Sequence, residues 1–241
     1  MQLKKMRYKI IEIIGKITGC YNYGKNNRVI IIKNGESQKR FFMPRGLIVE
    51  FEGDNCTLTI EKPLTFVNTL IDFEGDNAEF NIGQAKFKVR EAKFYIDENC
   101  KISIGRYSDL NNTGLVMVAN NAYDQPISIE IGDNVEIARN TLIRASDGHT
   151  IINPKTKKPL NPPESITIED NVWIGSKCVI LKGAYISKGS IVGACSLVNK
   201  KFKEENVLLV GTPAKILKRN ITWDCHGYGD YRRKIFDKLK N

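Results

Sequence analysis

Aliphatic side chains recur at every sixth position late in this chain, at Ile168, Ile174, Ile180, Ile186, Val192 and Val198. Two residues ahead of each stands a compact or β-branched residue: Ile166, Val172, Cys178, Ala184, Ser190 and Ser196. A second run, Ile131, Ile137 and Ile143, keeps the same beat behind Ile129, Val135 and Thr141, and its next beat is His149. A period of six fits neither the 3.6 of a helix nor the plain alternation of a flat strand; it fits a short strand plus a corner. Three such faces close a triangular coil, and stacked coils hydrogen-bond through their backbones about 4.8 Å apart, which predicts a parallel β-helix. Gly105, Gly132, Gly175 and Gly193 follow aliphatic beats, where a corner favours a residue without a Cβ.

Upstream the rhythm is looser. Gly53-Asp54-Asn55-Cys56, Gly75-Asp76-Asn77-Ala78 and Glu98-Asn99-Cys100 each precede strand-like alternation, and Asn55, Asn77 and Asn99 are 22 residues apart, so longer early coils with turn-forming corners are expected. Leu3, Met6, Ile10, Ile13, Ile14 and Ile17 fall at helical spacing among Lys4, Lys5, Lys9 and Lys16, which predicts an amphipathic helix. Glu12 interrupts its apolar stretch and no small-residue cleavage pattern follows, against a signal peptide. A cap packed on the first coil is the plainer expectation, with a membrane-surface anchor as the alternative. The expectation is one domain over 1–241: a helix in 1–20, coils over 47–211 with a loop at 150–165, and a helical tail over 212–241.

The six cysteines lack metal-ligand spacing, and Cys56, Cys100 and Cys178 occupy strand positions, so reduced thiols in a cytoplasmic protein are expected. Cys225-His226 is the one adjacent pair with ligand chemistry, and no second cluster completes a structural zinc site. Lys and Arg outnumber Asp and Glu by 37 to 27, which favours an anionic partner. Late in the chain cations cluster at Lys200, Lys201, Lys203, Lys215, Lys218, Arg219, Arg232, Arg233 and Lys234. With neither a reading helix nor an RNA-binding aromatic motif, nucleic acid is disfavoured against a phosphorylated small molecule.

Several segments in order carry a resemblance: Ile-Gly-Asp-Asn-Val at 131–135, Ser-Asp-Gly-His at 146–149, Val-Trp-Ile-Gly-Ser at 172–176, Gly-Ala at 193–194 and Gly-Thr-Pro-Ala-Lys at 211–215. On these the chain resembles the hexapeptide-repeat acyltransferases over about residues 95–221, within them the branch that O-acetylates capsular polysaccharide, lipopolysaccharide or galactosides. The resemblance implies an all-β, left-handed parallel β-helix and a homotrimer. It also implies acetyl-CoA as co-substrate, no metal, a sugar or polysaccharide acceptor, and a location in the cytoplasm or at the inner face of the membrane.

His149 is one of two histidines and the only break in its aliphatic beat. A neutral imidazole can take a proton from a sugar hydroxyl as that oxygen attacks a thioester, so His149 is the expected general base. Asn153 to Pro163 holds prolines and polar residues that cannot join a ladder, which predicts a protruding loop. Trp173 stands beside a beat and should point outward, to cover the thioester or stack on the acceptor. The resemblance further assigns cofactor contacts to Trp173, Gly175, Ser176, Ala194, Asn199, Lys200, Pro213, Lys215 and Lys218, with an oxyanion donor near Gly175 or Ser176. Asp109 and Asn111 join Trp173 as acceptor-binding candidates, and Asp147 is a candidate to orient the imidazole. A zinc-dependent carbonic anhydrase on the same scaffold needs three histidines, and the chain has two. N-acylation of an amino-sugar nucleotide and a non-catalytic scaffold remain as alternatives.

Overall fold

The computed structural model describes residues 2–39, 42–120 and 125–239; the side chains of 2–5 and 111–113 lie outside that description. Three parallel-strand faces wind into a left-handed prism. The first runs from Cys20–Asn22 to Leu197–Val198, and the second from Arg28–Lys33 to Lys201–Phe202, edged by the antiparallel Glu36–Lys39. The third stacks Glu136–Ile137, Trp173–Ile174, Ile191–Val192, Leu208–Gly211 and Ala214–Lys218, the last pair antiparallel. The stack starts at Cys20, which pairs with Val49, well before the expected start at 47.

All six beat residues from Ile168 to Val198 are buried, as are the compact residues two positions ahead. Inward positions therefore alternate along each short strand, and neighbouring coils bury one another's aliphatic groups. Coils here hold 18 residues, Thr167 pairing with Tyr185, whereas the early ones are longer, 29 residues from Cys20 to Val49 and 22 from Leu58 to Phe80. The longer coils enclose a wider interior, filled by aromatic rings: Phe51 stacks on Phe73 and Phe80 meets Phe94 edge-on, each with ring centroids 4.7 Å apart.

The Gly-Asp-Asn corners have a physical reason at each position. A Cβ on Gly53 would lie 2.1 Å from the carbonyl oxygen of Gly75 in the next coil, so the coils approach too closely for a side chain. Asp76 Oδ1 accepts a hydrogen bond from Asp54 N at 2.7 Å, satisfying a corner N–H that no strand can reach. Asn55, Asn77 and Asn99 take positive φ of 61°, 56° and 54°, which asparagine tolerates. Their amides also stack, Asn77 Nδ2 donating to Asn99 Oδ1 at 3.2 Å. Glycine thus serves close approach, and asparagine serves the left-handed turn.

Helix α1 (Gln2–Thr18) closes the lower end by one edge only. Gly15 and Thr18 are buried against the first coil, and Ile11 and Ile14 face Cys20, Val29 and Phe51. The helix thus packs on the first coil as expected, while Met6, Ile10, Ile13 and Ile17 remain largely in solvent. The C-terminal part begins with the strand Ala214–Lys218 and then runs back down the corner between the second and third faces. Ile221 N bonds Asn206 O at 3.0 Å, and Trp223 Nε1 bonds Asn171 O at 2.6 Å. Helix appears only at Tyr228–Tyr231 (α2) and in a π-helical turn over Arg232–Phe236, so the first part of the expected helical tail is a strand and a strap. No helix of the described residues is long and apolar enough to cross a membrane.

One outward column on the first face carries a strain. Glu50, Asp72 and Tyr95 are in register, and Asp72 Oδ1 is buried without a hydrogen-bond partner. Burial first, then Glu50, Glu74 and Glu52, push the Asp72 carboxyl up to about 7. The unfolded chain releases that proton near pH 4, so this group's contribution to stability falls as pH rises through the window from about 4 to 7. Asp72→Asn should therefore stabilise the protein by about 1 kcal/mol at about pH 8, a figure discounted for remaining solvent contact, and by little at about pH 5. Urea midpoints at the two pH values measure the difference.

Candidate active site

The base of the long loop explains where His149 sits. The first-face strand Leu142–Arg144 ends at Ala145, and Glu164 N returns to Ala145 O at 3.0 Å before Ile166–Ile168 opens the second face. The coil from Ile129 to its partner Ile166 spans 37 residues against 18 for the next one, so the excursion inserts a whole extra coil's length. His149 is exposed within this excursion and occupies no strand position; its beat is broken because the coil departs, not because an imidazole replaces an inward aliphatic.

Asn161 pins the loop onto itself. Its Nδ2 donates to Asp147 Oδ2 at 2.7 Å and to His149 O at 2.9 Å, and its Oδ1 accepts from Ile151 N at 2.6 Å. Lys182 Nζ lies 2.7 Å from the same Asp147 oxygen. Lys182 first, and then Asn161, hold the Asp147 carboxyl below its ordinary range. Asp147 is thus committed to Lys182 and Asn161, and the backbone of His149, rather than its ring, receives the support. Nothing in the sequence marked Asn161 as a clamp beyond its place at the foot of the loop before Pro162-Pro163. The guanidinium of Arg144 lies over Gly148, whose φ of +78° favours glycine.

The imidazole borders a cleft of about 710 Å³ with Asp97, Asn120, Gln125, Pro159 and Glu164 on its walls. Ser146 Oγ donates to Asn120 Oδ1 at 2.6 Å, tying the loop's first residues to the coil below. Among the described lining residues there are three carboxylates, Asp97, Asp147 and Glu164, and no ammonium or guanidinium.

The remaining sequence candidates divide between two sides of the prism. Asn199 and Lys200 occupy the corner between the first and second faces, the same edge as His149 but two coils further along. Trp173 points outward, 38% exposed, from the third face, which lies opposite that edge. It stands in a register column with Glu136 and Ile191, and Asp109 bridges to Glu136 below. Asp109 and Trp173 are thus brought together on one column, with Glu136, unremarked in the sequence, between them; burial and then Asp109 raise the Glu136 carboxyl above its ordinary range. Asn111 opens the strand Asn111–Ala119, and its side chain lies outside the described residues. Trp223 of the strap packs on Trp173, with ring centroids 6.2 Å apart.

Gly175, Ser176, Ala194 and Pro213 line the corner between the third and first faces in successive coils. Gly175 N donates to Val192 O at 2.8 Å and is spent in the ladder. Ser176 N and Ala194 N have no protein acceptor among the described residues, so each is open to a further acceptor. Lys215 and Lys218 are exposed on the last third-face strand, opposite Val210 and Leu208. Three strand spacings, about 14 Å, separate the Trp173 level from Lys218.

The other late cations are partly engaged: Arg219 pairs with Glu204 at 2.9 Å and Arg233 with Asp230 at 3.0 Å. Asp224 joins Cys225 and His226 to give three donor groups within 4.8 Å, all exposed. The carboxylate of Asp224 is already hydrogen-bonded to His226 N at 2.8 Å, and the Lys86 ammonium bonds Cys225, a poor setting for a cation.

Comparison with known proteins bears on the family and the fold. A family model described as bacterial transferase hexapeptide (six repeats) matches residues 165–200. The chain is 34% identical over 123 residues to a polysialic acid O-acetyltransferase of Escherichia coli O1:K1, an alignment covering 51% of this chain and 38% of that protein. It is 30% identical over 146 residues to a galactoside O-acetyltransferase of Lactococcus lactis, covering 58% of this chain and 69% of that one. Among solved structures, the polysialic-acid-specific acetyltransferase NeuO superposes with a TM-score of 0.73 at 27% identity, over 92% of this chain and 98% of its own. The chain thus spans little more than a third of the first of these relatives.

Proposed function

The chain belongs to the hexapeptide-repeat transferases, and on that footing we propose that it moves an acetyl group from acetyl-CoA to a sugar hydroxyl of a surface polysaccharide or its precursor. The observation that carries this reading is the exposed imidazole of His149, held at a cleft by a loop whose backbone Asn161 clamps. Acetyl-CoA supplies the activated acetyl thioester. His149 removes the acceptor proton as the hydroxyl oxygen attacks the thioester carbonyl, and returns it to the departing thiolate, so no covalent enzyme intermediate is needed. The free N–H of Ser176 suits the developing oxyanion, and Lys215 and Lys218 suit the phosphates at the far end.

In this reading a working site needs two copies of the chain. His149 with Asn199 and Lys200 on one edge, and Trp173 with Ser176 and Lys218 on or beside the opposite face, cannot meet within one prism. An edge of one copy against the third face of the next is a head-to-tail contact, and threefold rotation closes it. The first face supports association: Val116, Leu142, Val179 and Leu197 form an outward apolar column, with Val118 and Leu181 flanking Arg144 in the next. A homotrimer is the proposed assembly.

With Asp147 paired to Lys182, Asp97 and Glu164 on the cleft wall favour a neutral sugar over a polyanion, whereas the late basic residues and the polysialic acid relative favour an acidic one. Purified protein given acetyl-CoA and either a neutral galactoside or oligosialic acid should release free thiol and gain an acetylated product with the neutral acceptor. Absence of turnover with every sugar acceptor would overturn the reading.

A further inference from the structure

The stripe that α1 leaves in solvent has a charge border that points to a partner. Met6, Ile10, Ile13 and Ile17 recur at helical spacing and are 59%, 50%, 60% and 70% exposed. The rotation of the helix is fixed from its other side. Arg7 Nη2 donates to Tyr23 O at 2.8 Å, and the Tyr23 hydroxyl donates to Glu12 Oε1 at 2.7 Å. Gly15 sits against the Tyr21 ring so closely that a Cβ would lie 2.3 Å from it, which sets this side of the helix toward the first coil. Glu12, the only acid in α1, is therefore engaged with the body of the protein, while Lys9 and Lys16 along one border of the stripe are exposed.

We propose that α1 is an in-plane anchor that seats Met6, Ile10, Ile13 and Ile17 in the surface of an anionic membrane. An apolar stripe bordered by lysines is the arrangement that lets aliphatic groups enter the headgroup boundary while ammonium groups meet lipid phosphates. The formal charge of +10 adds long-range attraction to the same surface. Charge also decides against a second copy as occupant. Joining two such stripes antiparallel would crowd the bordering lysines of both copies together, whereas anionic headgroups neutralise them. The anchor does not depend on the catalytic reading, since it uses no residue of the cleft.

Sedimentation with phosphatidylcholine vesicles, with and without phosphatidylglycerol, tests this on the full chain. Wild type should pellet with the anionic vesicles only, and the bound fraction should fall as salt is raised. Ile10→Asp with Ile13→Asp should lower vesicle partitioning at least tenfold, with acetyl transfer to a soluble acceptor and the mass in solution unchanged. Lys9→Glu with Lys16→Glu, which leaves every apolar contact in place, should weaken anionic binding in the same direction. Failure of wild type to bind anionic vesicles would overturn the proposal. A smaller particle for the isoleucine variant would equally overturn it, assigning the stripe to contact between copies. Loss of vesicle binding with intact turnover separates this claim from the catalytic one, as does turnover lost with binding intact.

Discussion

His149→Ala should lower kcat/KM for acetyl transfer about 10³-fold, the middle of the range for loss of a positioned general base. That corresponds to about 4 kcal/mol of transition-state stabilisation. The fall should lie in kcat, with KM for both substrates little changed, because the ring is asked to move a proton rather than to hold a sugar. The fold has no stake in the side chain: it is exposed, and no described group hydrogen-bonds to the ring. The thermal midpoint and the assembled mass should therefore match wild type. Asn161→Ala offers a graded companion, since it removes three hydrogen bonds around Asp147, His149 and Ile151 and leaves the imidazole in place. A drop of about tenfold in kcat is expected there, in keeping with the sensitivity of catalysis to small misplacements. Equal turnover in wild type and His149→Ala would remove the proposed base.

What the sequence disclosed follows from which contacts are local. The inward positions of a short-coil prism must be aliphatic or small at fixed spacing, so Ile168 to Val198 announced themselves, and the 22-residue spacing of Asn55, Asn77 and Asn99 matched the coil length. His149 was flagged by its broken beat, yet the break reports the departure of the chain at Ala145 rather than an altered coil position. The partnership of Asp109, Glu136 and Trp173 depends on register across a 37-residue coil, and register cannot be read until the length of the excursion is known. The Asn161 clamp is a set of side-chain contacts to the Asp147 carboxylate and to backbone 10 and 12 residues away, with no periodicity to betray it. The pattern of α1 shows that an apolar face exists, not which side the chain turns toward the coil. That choice is made by Tyr21 and Tyr23, residues outside the helix.

Two disabled chains should restore one another. If each catalytic site takes His149 from one copy and Trp173 from its neighbour, His149→Ala and Trp173→Ala chains expressed together will assemble some sites that carry both intact residues. For random assembly into a closed ring, each site receives its imidazole from a tryptophan variant in half of cases and its indole from a histidine variant in half, so about a quarter of sites are whole. Activity of the mixture should approach about a quarter of wild type, while a His149→Ala, Trp173→Ala double variant mixed with wild type follows dilution of whole sites alone. The argument needs only that the two residues lie on opposite sides of one prism, His149 at the edge between the first and second faces and Trp173 on the third. A mixture no more active than its better single variant would show that each chain completes its own site, and would place the acetyl donor in the His149 cleft without help from Trp173.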